Sequence, residues 1–153
     1  VTLPANVAKF LACKRIAVAG VSHDPMQPAN AIYRKLAAHG YEVFAVNPKG
    51  GDLEGKPAYP SLTAIPGSVE AVMVVTHPDV SAEVVREAAR LGIQQVWFHR
   101  SFGDGSVSAA ALAACRETAL TPIVGGCPMM YLEPDVGHRC MRWVLNLSGK
   151  VPG

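Results

Sequence analysis

Long apolar runs are missing from this 153-residue sequence: no stretch approaches the roughly 18 residues a membrane-spanning helix requires. Residues 1–14 lack a basic region followed by a long apolar stretch, which argues against a secretory leader and for a cytoplasmic location. Charge is scarce as well. Only 17% of residues are charged, the net charge is +2 and the basic residues are scattered, so no patch suits nucleic acid. The four cysteines, Cys13, Cys115, Cys127 and Cys140, form no Cys-x-x-Cys pair and read as buried or free thiols rather than a disulfide framework. Cys127, His138 and Cys140 follow no standard zinc spacing, and residues 138 and 140 of a helix face different sides. No Gly-x-Ser-x-Gly elbow is present, so no catalytic serine is legible. No internal repeat or low-complexity segment appears either.

Short apolar runs alternating with helix-like stretches are what the sequence does contain. Residues 15–19, 41–46, 69–75, 94–98 and 122–124 read as strands. Helices are expected over residues 28–39, with Pro28 in the first turn and Gly40 at the stop, and over residues 79–91, stopped by Gly92. A third helix is expected over residues 107–118 behind a Ser106 cap, and a last one over residues 138–146. Residues 52–67 are turn-rich, with room for one short helix after Ser61. Five strands separated by helices imply a parallel sheet covered on both faces, a doubly wound α/β fold of the Rossmann type in one domain with a helical tail from about residue 135. In such folds ligands sit at the carboxyl ends of the strands.

The turns leaving the strands are therefore the candidate site. Gly20-Val21-Ser22 departs from Gly-x-Gly-x-x-Gly, because Ser22 stands where the second glycine would admit a pyrophosphate. The helix start at Pro28 still offers free N–H groups to a phosphate, with Ser22 and Asn30 as added hydrogen-bonding side chains. After the second strand comes Asn47-Pro48-Lys49, where NAD-binding domains carry an acid for the ribose. A lysine there favours an extra phosphate, the 2′-phosphate of NADP or the 3′-phosphate of coenzyme A. Thr76-His77-Pro78 brings no negative charge and suits the wall of a nucleotide or pantetheine site; His77 reads as a hydrogen-bonding wall residue. The fourth turn, from His99-Arg100 to Gly105, sets a polar cluster directly after an apolar strand. The fifth places Cys127 before Pro128, reactive only if its pKa is lowered.

In this order on successive strand ends, Gly20-Val21-Ser22 with Pro25 and Pro28, Val46-Asn47-Pro48-Lys49, Thr76-His77-Pro78 and Cys127-Pro128 resemble the CoA-binding domain proteins. These are small relatives of the CoA-binding domain of succinyl-CoA synthetase, and the resemblance covers residues 8–133. It implies five parallel strands with coenzyme A at their ends. Gly20, Val21 and Ser22 would cradle phosphate with the helix start at Pro28 to Asn30, and Asn47, Pro48 and Lys49 would flank the adenosine phosphate. Thr76, His77 and Pro78 would line the nucleotide, with His99 and Arg100 nearby. Two departures stand out: Gln27 replaces an arginine common in relatives, and Gly125-Gly126 replaces an Asp-Arg pair. The chain is too short for the synthetase's phosphohistidine loop and nucleotide-grasp partner, so the resemblance implies binding rather than ligation.

The reading is a non-catalytic module for coenzyme A or an acyl-CoA, a carrier, sensor or regulator, without a metal. The alternatives are an NADP-binding oxidoreductase and an interaction protein that has lost its ligand. The tail with His138, Arg139 and Arg142 offers a helix to a partner subunit or replacement charge for the ligand, and a homo-oligomer is a further expectation.

Overall fold

A computed structural model describes residues 3–100 and 105–152. The elements run α1 (Ala5–Ala12), β1 (Arg15–Ala19), α2 (Pro28–Ala38), β2 (Glu42–Val46), β3 (Asp52–Leu53), β4 (Lys56–Pro57), β5 (Ala71–Val74), α3 (Pro78–Arg90), β6 (Gln95–Phe98), α4 (Ala109–Glu117), β7 (Ile123–Val124), a 3-10 turn at Pro128–Met130, and α5 (Val136–Leu147). Five strands form one parallel sheet in the order β2-β1-β5-β6-β7. The order reverses beside β1: the chain moves outward to β2, then returns to the other side of β1 with β5. That is the switch point of a Rossmann-like sheet, where two crossovers diverge and leave a crevice between β1 and β5.

The near-continuous apolar strands follow from burial on both faces. Ile16, Val18, Ala71, Met73 and Trp97 point to one side, into a core shared with Val7 and Phe10 of α1, Ile32, Tyr33 and Leu36 of α2, and Leu145 of α5. Ala17, Ala19, Val72, Val74, Val96 and Phe98 point to the other, against Val85 and Ala88 of α3 and Ala111 and Ala114 of α4. The alternation is the period-two geometry of a strand, made visible by which helix each side chain meets.

Four details differ from the sequence expectation. α1 was not anticipated; its eight residues are too few to form a helix by propensity, and Phe10 holds it by an edge-to-face contact with Trp97, ring centroids 5.2 Å apart. No helix follows Ser61. The turn-rich region instead opens with the β3–β4 hairpin, closed by Glu54 and Gly55 at φ +53° and +76°, the left-handed pair a two-residue hairpin turn needs. The cap of α4 is Ser108, whose side chain accepts the Ala111 N–H at 3.0 Å; Ser106 is buried and its N–H donates to the His99 carbonyl at 2.9 Å. α5 begins two residues early, because Asp135 caps it by accepting the His138 N–H at 2.8 Å. Among the described residues no helix is long and apolar enough to cross a membrane.

Candidate functional site

Gly20 follows β1 and packs against Val75, the residue that follows β5. Its φ of +104° is one that side chains rarely adopt, and a Cβ there would lie 2.5 Å from the Val75 carbonyl oxygen. Only glycine lets the two strand ends meet this closely. Beyond that contact lies an open cleft of about 430 Å³, a volume within the range of small-molecule sites. Gly20, Ser22, Gln27, Pro28 and Ala29 form one wall; Val75, Thr76, His77 and Pro78 form the other; His99, Gly105 and Ser106 close the end.

The helix starts at the two walls differ. α3 is capped by its own side chain: His77 Nδ1 accepts the Asp79 N–H at 3.4 Å, and the Asp79 carboxylate stands 3.2 Å from the same nitrogen. α2 has no side-chain cap at Gln27 and no acid in its first turn. Pro28 has no N–H, and the Asn30 and Ala31 amides donate to the Gln27 carbonyl at 3.0 and 3.2 Å, so the Ala29 N–H and the positive end of the α2 dipole are what this helix start offers an anion. The Gln27 carboxamide is turned away to Asp24, donating to Oδ2 at 2.9 Å; this bond, with the Met26 N–H, holds the Asp24 carboxyl below its usual range.

Several residues singled out in the sequence serve the loop rather than line the cleft. Asn30 is buried, accepts the Ser22 N–H at 2.9 Å, and donates to the Ser22 carbonyl at 2.8 Å and to Glu54 Oε1 at 2.7 Å. Its side chain is spent on holding the β1–α2 loop. Val21 is fully buried in the core. Asn47 ties the end of β2 to the same loop, donating to the Val21 carbonyl at 2.8 Å and accepting the Lys49 N–H at 2.9 Å. Pro48 and Lys49 are exposed on that turn, outside the residues that line the cleft. The Arg100 N–H donates to the Gly126 carbonyl at 3.3 Å, which joins the fourth turn to the fifth; residues 101–104 of the fourth turn lie outside the described residues.

Thr76 Oγ1 and Ser81 Oγ share a hydrogen bond of 2.9 Å beneath the cleft wall. His99 is half-buried, and loss of solvent pushes its pKa below the usual 6.5, so it enters neutral solution as an uncharged imidazole. Cys127 is buried and desolvation pushes its thiol up to about 11, which removes it as a nucleophile at neutral pH. Among the described residues no three His, Cys, Asp or Glu side chains gather as a metal site.

Sequence reasoning missed Gln27, Ala29, Val75, Gly105 and Ser106 as cleft residues. The signal was present only in part: Gly105, at φ +62°, packs against the His99 carbonyl where no Cβ fits, but a glycine in a polar turn does not announce that contact. The Gly125-Gly126 departure also gains a cause. A Cβ on Gly125 would collide with the Lys150 carbonyl, since the chain after α5 passes directly over it.

A doubly wound parallel sheet with its cleft at the β1–β5 switch point defines a Rossmann-like α/β protein. The chain belongs to the CoA binding domain family, which residues 14–133 match. It is 30% identical over 100 residues to acetate–CoA ligase [ADP-forming] I of Archaeoglobus fulgidus, covering 65% of this chain and 15% of that protein. It is 28% identical over 114 residues to the uncharacterized protein YneT of Bacillus subtilis, covering 74% of this chain and 82% of that one. Among solved structures, a hypothetical protein from Pyrococcus horikoshii OT3 superposes with a TM-score of 0.73 at 30% identity, over 84% of this chain and 93% of the other. The chain thus spans about a seventh of the ligase it resembles and most of the two smaller proteins.

Proposed function

We propose that the cleft at the β1–β5 switch point binds coenzyme A or an acyl-CoA, and that the protein acts as a non-catalytic carrier, sensor or regulatory module. The observation that carries this reading is the uncapped N-terminus of α2 opening on a cleft of about 430 Å³, in a chain of the CoA binding domain family. The pyrophosphate lies over Gly20, Ser22 and Pro28, beside the Ala29 amide and the positive end of the α2 dipole. Thr76, His77 and Pro78 flank the nucleotide, with His99 and Arg100 at the closed end. Val21, Asn30 and Asn47 hold the loop in shape, and Pro48 sets the turn from which Lys49 reaches the 3′-phosphate of the adenosine.

The content of the cleft supports binding over chemistry. Among the described residues its lining holds no carboxylate and no thiol, His99 is neutral, and His77 is engaged as a helix cap. A general acid–base pair would need two groups poised to exchange a proton with the ligand.

Titration calorimetry with coenzyme A, dephospho-coenzyme A and NADPH tests the proposal. Coenzyme A binds, and dephospho-coenzyme A binds about tenfold more weakly, the loss of one charge-assisted contact. Lys49→Ala abolishes that difference. Equal affinity for the two ligands removes the role given to Lys49; binding of NADPH alone, or of nothing, overturns the proposal.

A further inference from the structure

α5 buries one face and leaves the other bare. Leu145 is enclosed in the core, while Val136, Trp143, Val144 and Leu147 are 75%, 67%, 45% and 72% exposed. Cys140, also exposed, lies between Val136 and Trp143 on the helix. Val136, Cys140, Trp143 and Leu147 follow one another at spacings of four, three and four, the seam of a helix that packs on another helix. A row of this kind is larger than the scattered apolar residues a monomer exposes. It lies beyond residues 14–133, so it is not part of what the family match covers.

We infer that this face of α5 is a homodimer interface in which two copies of the helix pack antiparallel about a two-fold axis between Met141 and Arg142. The occupant is identified by how the seam maps onto itself. A two-fold at that point sets Val136 against Leu147 of the second copy and Cys140 against Trp143, so every apolar seam residue meets another apolar residue. A two-fold interface must be self-complementary in this sense. Shape agrees with sequence. Around Cys140 lies a hollow of about 490 Å³ lined by Val136, Arg139, Cys140 and Trp143, and the second copy's indole enters it. Arg139, which makes no ion pair among the described residues, then lies over an indole face, where a guanidinium is attracted to the ring. Antiparallel helices also oppose their dipoles favourably. The exposed seam amounts to roughly 500 Å² per copy, near the lower bound for a specific interface, so the dimer is a reversible one.

Sedimentation velocity on the full chain tests the inference at about 5 µM and about 500 µM protein, which brackets the affinity such an area allows. The wild type shifts from monomer to dimer between the two, while Trp143→Glu stays monomeric at both. A short bismaleimide adds a second measurement, since Cys140 is the exposed cysteine. It links the wild type into a covalent dimer, and the product is lost in Cys140→Ser and in Trp143→Glu. Leu147→Lys, at an equally exposed position, replaces Trp143→Glu if that variant shows altered circular dichroism. A wild type that remains monomeric at the higher concentration overturns the inference. So does a dimer that survives both variants, or a monomer that instead binds anionic vesicles through Trp143.

Discussion

Ser22 and Asn30 exchange two hydrogen bonds: the Ser22 N–H donates to Asn30 Oδ1 at 2.9 Å, and Asn30 Nδ2 donates to the Ser22 carbonyl at 2.8 Å. One side chain in the first turn of α2 thereby fixes the loop that enters the cleft. Glu54, brought in by the β3–β4 hairpin, takes the second amide proton and is itself paired with Arg34 at 2.7 Å. Asn30→Ala leaves both backbone groups of Ser22 and the Glu54 carboxylate without this partner. The expected loss is about 2–3 kcal/mol in urea unfolding, with weaker coenzyme A binding alongside. A loss below about 0.5 kcal/mol would mean that solvent replaces the side chain freely.

Gly20 carries a second test. Gly20→Ala places a methyl group against the Val75 carbonyl at a backbone angle that disfavours any side chain. The expected cost is roughly 2 kcal/mol or more, read from the denaturation midpoint. If Gly20→Ala is as stable as the wild type, β1 and β5 do not meet as closely as described.

His99 predicts a pH dependence. Burial lowers its folded pKa below the ordinary 6.5, so the unfolded chain binds the proton first as pH falls. The stability contributed by the neutral imidazole is complete above pH 6.5 and is lost as the pH drops from there through the lowered folded value. Thermal midpoints of the wild type should fall between pH 7 and pH 5, and His99→Gln should flatten that fall. Parallel curves for the two proteins would exclude His99 as the cause.

The thiols separate by burial. With its pKa pushed up to about 11, Cys127 is thiolate in only about one molecule in ten thousand at pH 7, and Cys13 and Cys115 are buried with raised values as well. A maleimide at neutral pH should therefore add one label to the native protein, on Cys140, and four after denaturation, counted by intact-mass spectrometry. Rapid labelling of Cys127 in the native state would mean that the segment after β7 opens.

Short, near-continuous apolar runs, glycine stops and Pro28 at a helix start determined the sheet, its parallel sense and the turns at its strand ends. These are local signals: each rests on a few adjacent residues and on the hydrogen-bonding limits of the backbone. The strand order put the cleft between β1 and β5, and only tertiary structure fixed which turn residues line it. Lys49 and Asn30 look alike as turn-side polar groups in sequence; packing leaves one in solvent and spends the other on Ser22. Phe10 made a helix of a segment too short to be one alone, because Trp97 lay ready to receive it. Gly125-Gly126 reads in sequence only as missing charge; packing adds that Gly125 leaves room for the chain after α5. Contacts between residues far apart in sequence decide such matters, and no local pattern encodes them.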